Sequence, residues 1–469
     1  MNPYPLALII SPLGGLAISV LFIVLVIGFL RVHSFFALIS AAMLVGLLNA
    51  LNQTGEQRFT KAIEMVMTEF GATTSKIGFT IAAAAVIGMC LMESGAAEKI
   101  IRRFIALIGE AHAGLALLTC SFALCAPVFY DTVIMLLLPL ARTLSLRTKK
   151  HYLLYVLVIC AGGAISNGLI PPAPGPLFVS ESLKIDLGVA ILGGIAFGIL
   201  PALGAYGVAL WMNRRMVVPV RELPGSALES LSALAARPES ELPSLLASVS
   251  PVVVPVGLIA SGSFLSLFRS QVSPEVAQLI TFLGNKNIAL FIAGILALAL
   301  LAHQKRTGLR DVSKVLGPPL ETAGVIILIV SAGGAYGAMI KNSGVGDAIR
   351  TFAGGNTTHY VLLAWIISAA IRVVQGSATV ATITAVGIMQ SVAGSEGYGV
   401  HPIYIMVAIG FGSKFLNWMN DSGFWVVNRF SGLTQGELLR SWSILISVVS
   451  LLGLAEVLLV ARLFPRFLL

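Results

Sequence analysis

The sequence predicts an all-α polytopic membrane protein made of two inverted repeats, and three observations predict it. Of 469 residues, 57% are hydrophobic and 11% charged, against about 25% charged in an average soluble domain. Apolar runs of roughly 20 residues recur throughout, each long enough to cross a bilayer as a helix. The chain also echoes itself at a shift of 249 residues. Gly88–Ile100 lies over Gly337–Ile349 with Gly88, Ser94, Gly95 and Ile100 repeated identically. At the same shift Pro127–Asp131 falls over Gly376–Val380, and Pro171–Pro176 over Asn420–Trp425. Paired interruptions at matching places in two hydrophobic halves point to a transporter's binding site.

In chain order the first half offers spans at 6–30, 34–51 and 77–93, an interrupted region at 113–141, a broken span at 151–176, and a span at 187–212. The second half offers 250–268, 279–302 and 319–341, an interrupted region at 359–391, a broken span at 401–427, and 441–463. The first run is too long for a signal peptide and is followed at once by another span. The expected organisation is a first repeat at 1–212, a polar linker at 213–249 and a second repeat at 250–469. The net charge of +9 is read as basic anchoring of cytoplasmic loops, not as a nucleic-acid surface. Cys90, Cys120, Cys125 and Cys160 lie in apolar segments without metal-ligand spacing, so disulfides, zinc and cofactors are not implied.

Loop charges set the orientation. Arg142–Lys150 holds four basic residues and no acidic one, whereas its repeat partner Ser391–Val400 holds only Glu396. Likewise His303–Ser313 carries Lys305, Arg306 and Arg310, while Thr54–Glu64 mixes both signs. Basic residues accumulate on the cytoplasmic side, so equivalent loops sit on opposite faces and the repeats are inverted, with the linker cytoplasmic. Parity then requires 113–141 and 359–391 to be re-entrant hairpins, leaving about ten full spans. Non-helical backbone at membrane depth survives only inside protein or beside a water-filled cavity.

Four interruptions carry the candidate chemistry. Asp131, at the turn of hairpin one, sits in apolar sequence where an ionised carboxylate costs about 2.5–3.5 kcal/mol. It reads as a proton or cation site, a hydroxyl acceptor, or the N-cap of the next helix. At the turn of hairpin two, Gln375, Gly376, Ser377 and Thr379 open a helix whose free N–H groups suit a carboxylate ligand. Arg372, one turn earlier, is a charge partner for the substrate, Asp131 or Asp421, or a snorkelling cation. Four prolines between Pro171 and Pro176 end a helix and leave Ser166 and Asn167 facing the break. Asn417, Asn420, Asp421 and Ser422 crowd amides, a carboxylate and a hydroxyl into one span, a set suited to a polyhydroxylated ligand. Asp131 and Asp421 are the candidates for ion coupling. The six histidines fall at span ends, and Glu93 is a weaker candidate for gating. No catalytic triad, P-loop, dinucleotide fingerprint or metal cluster is present in the sequence, so neither an enzyme nor an ATP-driven pump is indicated.

Gly88–Ile100, Pro127–Asp131, Leu169–Pro176, Arg372–Ala381 and Gly410–Trp425 resemble the gluconate permease family of proton symporters, within the ion-transporter superfamily. The resemblance implies an inner-membrane carrier that takes up gluconate or a related sugar acid with protons, paired hairpins, and an elevator-type motion in a homodimer. Family members commonly carry His in the stretch matching Ser166-Asn167-Gly168, and often before the last Pro-Gly-Pro. Here Asn167 and Ala173 stand there, which leaves gluconate, glycerate, other hydroxy acids and D-serine open as substrates. Sodium coupling is the nearest alternative to protons, because freed carbonyls with Ser, Thr and Asn oxygens also bind sodium.

Overall fold

The computed structural model describes residues 11–30, 32–109, 112–126, 128–148, 151–221, 238–268, 272–306, 308, 312, 314–345, 357–393 and 398–466. Among them the regular structure is entirely helical. The first half begins with α1 (Pro12–Val24), continued by a π-helical turn at Leu25–Phe29, then α2 (Ser34–Leu51), α3 (Arg58–Glu93) and α4 (Ala96–Ile108). A helix pair, α5 (Ala113–Leu124) and α6 (Tyr130–Thr148), precedes α7 (Tyr152–Leu169), α8 (Pro174–Ser182) and α9 (Leu187–Arg215). The second half runs α10 (Leu245–Phe268), α11 (Pro274–Leu283), α12 (Lys286–Lys305) and α13 (Gly317–Lys341). It continues with the pair α14 (Thr357–Gln375) and α15 (Ala378–Ala393), then α16 (Pro402–Gly412), α17 (Ser422–Ser431), α18 (Gln435–Arg440) and α19 (Trp442–Leu463). Eight helical segments are long and apolar enough to cross a membrane.

Local sequence explains where these helices start and stop. Asp186 caps α9, accepting from the Gly188 and Val189 N–H groups at 2.9 and 3.1 Å, and Thr434 with Glu437 forms a capping box on α18. Proline opens α8 and α16, where its missing N–H costs nothing. His33 and His401 cap α2 and α16 through their rings, and His112 and His151 stand at the N-caps of α5 and α7. These four histidines therefore stand at helix starts.

Three boundaries differ from the sequence reading. The third span is not 77–93 with a preceding loop to 64: α3 is one 36-residue helix, about 54 Å at 1.5 Å per residue. It contains no proline, so polar residues such as Glu64 and Glu69 are carried on a helix that continues past the hydrocarbon thickness. The run at 279–302 is divided. Gly284 ends α11, and Asn285 starts α12 by accepting from the Asn287 N–H at 2.9 Å. The stretch after Glu93 is a helix, α4, whose Arg102 pairs with Glu98 at 2.5 Å.

The core centres on α7, where every residue except Asn167 is buried. A helix apolar all round must be enclosed by others, and α5, α6, α9 and α16 enclose this one. Each short helix after a break packs against the second arm of the other half's helix pair, α8 on α15 and α17 on α6. That crossed arrangement brings all four interruptions to one place. At the linker, Arg221 donates to both carboxylate oxygens of Glu437 at 2.7 and 2.8 Å and to the Gly432 carbonyl at 3.0 Å. It thereby ties the chain after α9 to α18. Of the linker's charged residues, Glu222, Glu229 and Arg237 lie outside the described residues.

Candidate functional site

A cavity of about 400 Å³ opens between the tip of the α5–α6 pair, the start of α15, and the two breaks at 170–173 and 413–421. α3, α13 and α19 close its remaining walls. Asp131, Asn167, Arg372, Ser377, Thr379, Asn417, Asp421 and Ser422 all line it. Eight of the twelve residues singled out from sequence are therefore brought together by the fold.

Asp131 lies in the first turn of α6, where the helix dipole favours a negative charge. It forms no cap: its carboxylate has no hydrogen bond or ion pair among the described residues. Asp421 occupies the N-cap position of α17, yet its side chain does not cap either. Its Oδ2 instead accepts from Arg372 Nη2 at 2.8 Å and from Asn417 Nδ2 at 2.6 Å. Arg372 is 98% buried by this arrangement (2% exposed), which excludes snorkelling. Its Nε and Nη1 are buried without partners, as is Asn417 Oδ1.

Gly376 makes the hairpin turn. Its φ of +88° is a left-handed conformation that glycine adopts without strain, and a Cβ there would overlap the Asn420 backbone carbonyl. Ser377 Oγ accepts from the Val380 N–H at 3.4 Å, so it caps α15 loosely while facing the cavity. Alanine at 376 is expected to destabilise the protein by more than about 1 kcal/mol. A thermal midpoint in detergent equal to wild type would contradict this account of the turn.

Four of the predicted residues do not line the cavity. Asn420 turns away: its Nδ2 donates to the Val373 carbonyl at 2.9 Å, where Trp418 Nε1 also donates at 2.9 Å. Two side chains thus satisfy a terminal carbonyl of α14, which a helix end leaves open. Ser166 is fully buried with its hydroxyl unpartnered, and both polar atoms of Gln375 are sealed and unpartnered. Gly376 contributes only its backbone path. Glu93 forms an ion pair with Lys305 between α3 and α12, away from the cavity lining.

The sequence reading passed over Lys414. It is 7% exposed, lies in the break between α16 and α17, and lines the cavity. A lone lysine within an apolar span was the available signal, because charged groups there are expensive and functional by default. Tyr130 and Thr132 also reach the cavity, and neither was legible beyond its position beside Asp131.

A sequence profile of the GntP family permeases matches residues 11–463. The chain belongs to this permease family. An uncharacterized permease of Haemophilus influenzae is 31% identical, covering 90% of this chain and 86% of its own. The gluconate permease of Pseudomonas aeruginosa is 29% identical over 95% of this chain and 96% of its own. In fold, the permease is similar to the YdaH transporter of Alcanivorax borkumensis, whose crystal structure was described as having an unusual topology. The TM-score is 0.65 at 14% sequence identity, covering 92% of this chain and 98% of that one. The permease is therefore a multi-pass membrane transporter rather than an enzyme. Its cavity offers hydroxyls and amides beside two cations and two carboxylates, a lining that can hold a polar organic acid.

Proposed function

We propose that this permease is a secondary active symporter that brings gluconate or a related sugar acid across the cytoplasmic membrane with protons. The observation that carries the reading is the cavity itself, which gathers Asp131, Arg372, Asp421, Asn167, Asn417, Ser377, Thr379 and Ser422 where four helix interruptions meet. The substrate's carboxylate lies towards the N-terminus of α15 and its hydroxyls meet Asn167, Asn417 and Ser422, whose groups donate and accept. The name of the Pseudomonas relative supports gluconate as the reference substrate.

In this reading the chain is an inverted duplication, 1–212 and 250–469, joined by a cytoplasmic linker at 213–249. Adding 249 to α2, α5, α6, α7, α8 and α9 gives ranges that overlap α12, α14, α15, α16, α17 and α18–α19. The α5–α6 and α14–α15 pairs act as re-entrant hairpins, with about ten spans besides, and an elevator-type movement of a homodimer carries the site across. Proton coupling is favoured over sodium at hairpin two. The Val373 carbonyl, which a cation would use there, already receives Asn420 and Trp418.

The test is uptake by the reconstituted full chain under imposed gradients. Gluconate should accumulate when the trans side is alkaline and remain indifferent to sodium at fixed pH. Accumulation that follows a sodium gradient and ignores pH would replace proton coupling by sodium coupling. Absence of any sugar-acid flux would remove the substrate assignment.

A further inference from the structure

We infer that the Lys414 ammonium is the principal anchor of the substrate's carboxylate, so that the cavity selects a compact monocarboxylic acid over its neutral analogue and over a dicarboxylate. The inference rests on the transport reading above and names the residue that gives the site its preference for an acid.

Lys414 lies two residues beyond the end of α16. Its side chain does not run out to a membrane surface, as lysines near helix ends commonly do. It runs inward across Gly168 of α7, and a Cβ added to Gly168 would overlap Lys414 Cε. Gly410 meets the same stretch from the other side. A Cβ there would come within 2.6 Å of the Gly168 carbonyl oxygen. The two glycines let α7 and α16 touch at backbone distance. That contact delivers the lysine into the cavity beside Asn167.

The ammonium that arrives there is in no ion pair among the described residues. The Lys414 side chain makes no hydrogen bond or ion pair among the described residues, although its backbone N–H donates to the Phe411 carbonyl at 3.0 Å. Its charged neighbours are Arg372 and Asp421. Asp421 is already engaged, since one of its oxygens accepts from Arg372 at 2.8 Å and Asn417 at 2.6 Å. Arg372 and Asp421 therefore cancel each other, and the cation of Lys414 is left over. Asp131, the remaining cavity carboxylate, has no ion pair among the described residues either. A cation kept this deep against its insertion cost with no ion-pair partner is open to an anion from outside. The start of α15, with Ser377 and Thr379 in the same cavity wall, adds the partial positive charge of a helix N-terminus.

The ionisable groups facing the cavity are Asp131, Asp421, Arg372, Lys414 and the Tyr130 hydroxyl. With both carboxylates and both cations charged and the tyrosine neutral, they sum to zero. One bound monocarboxylate makes the site −1, and one proton, taken by Asp131, returns it to zero. A dicarboxylate would leave an uncompensated charge at membrane depth. The chemistry of the cavity thus fits a single carboxylate entering with a single proton.

The deciding measurement uses the full chain in proteoliposomes, with gluconate counterflow as the signal and gluconamide and glucarate as competitors. Wild type should favour gluconate over both. In Lys414→Met the KM for gluconate should rise about 10- to 100-fold, the loss of one charge-assisted hydrogen bond, while competition by gluconamide stays unchanged. Lys414→Arg should restore most of the preference. Gly168→Ala, which displaces the ammonium without removing it, should erode the preference in the same direction, and it serves as the deciding variant if Lys414→Met does not fold. An unchanged gluconate KM in Lys414→Met would overturn the inference alone. So would equal weakening of gluconate and gluconamide, which marks a structural lysine, or an unchanged preference in Gly168→Ala. Wild type that moves no sugar acid overturns the transport reading first, and this inference with it.

Discussion

Asp131→Asn is expected to abolish concentrative uptake driven by a pH gradient while leaving gluconate counterflow in place. The substitution preserves shape and removes one titratable negative charge. Asp131 and Asp421 both face the cavity, but they are placed differently. Asp421 is held by Arg372 and Asn417, so its charge is compensated whether or not substrate is present. Asp131 stands in the first turn of α6 without a hydrogen-bond or ion-pair partner among the described residues, and a proton there changes the net charge of the loaded site. With asparagine the cavity carries one fixed positive charge when empty and none with a monocarboxylate bound. The loaded carrier can then cross without a proton, exchange continues, and the pH gradient loses its grip. Accumulation should fall by at least about 10-fold, to the level of simple equilibration, and the KM for gluconate should lose its dependence on external pH. The sign follows from the group: protonated Asp131 is the form that accepts an anion, so in wild type apparent affinity falls as pH rises, and in Asp131→Asn it does not. Full pH-driven accumulation by the variant would transfer coupling to Asp421.

The sequence made the interruptions legible, because each rests on backbone chemistry that needs no neighbours. Four prolines between 171 and 176 stop α7 at Leu169, and Gly376 turns α14 into α15 wherever that pair is placed. The polar cluster at 417–422 stood out for the same reason, as polar groups in an apolar span must be used. What each member of the cluster does was not legible. Asn417 and Asn420 differ by three positions, yet one donates to Asp421 and the other reaches back to the Val373 carbonyl. The difference is set by where the α14 terminus docks, which is a tertiary fact. Ser166 and Asn167 are adjacent on α7, but helical geometry turns only Asn167 to the cavity. Lys414 was hidden for a related reason. From sequence it is one basic residue near a helix end, and only the contact of Gly168 with its stem directs it inward. The extent of α3 was obscured by its polar first half, where hydropathy falls although nothing breaks the helix.

Asp421→Asn and Arg372→Met should each destabilise the permease far more than the two together. The pair is nearly sealed, with side-chain exposures of 3% for Arg372 and 14% for Asp421, so removing one partner strands a charge that water cannot reach. Breaking a buried pair this way costs about 3–5 kcal/mol. The asymmetry between the two single variants is also predictable. Arg372→Met leaves Asp421 with the Asn417 amide at 2.6 Å, whereas Asp421→Asn leaves a guanidinium whose Nε and Nη1 already lack partners. It also leaves that guanidinium beside Lys414 with no anion between the two cations. Asp421→Asn should therefore be the more damaging, visible as a lower thermal midpoint and loss of a monodisperse peak in detergent. The double variant removes both charges and should recover much of the midpoint, giving a coupling energy well above the few tenths of a kcal/mol expected of independent sites. Transport should not return with it. Lys414 would then be the only fixed cation in the cavity, and the position of the carboxylate would no longer be defined against the α14 terminus. Additive losses in the two single variants would mean that the ion pair contributes nothing beyond its separate members. Recovery of both fold and accumulation in the double variant would mean that the pair is structural and lies outside the transport cycle.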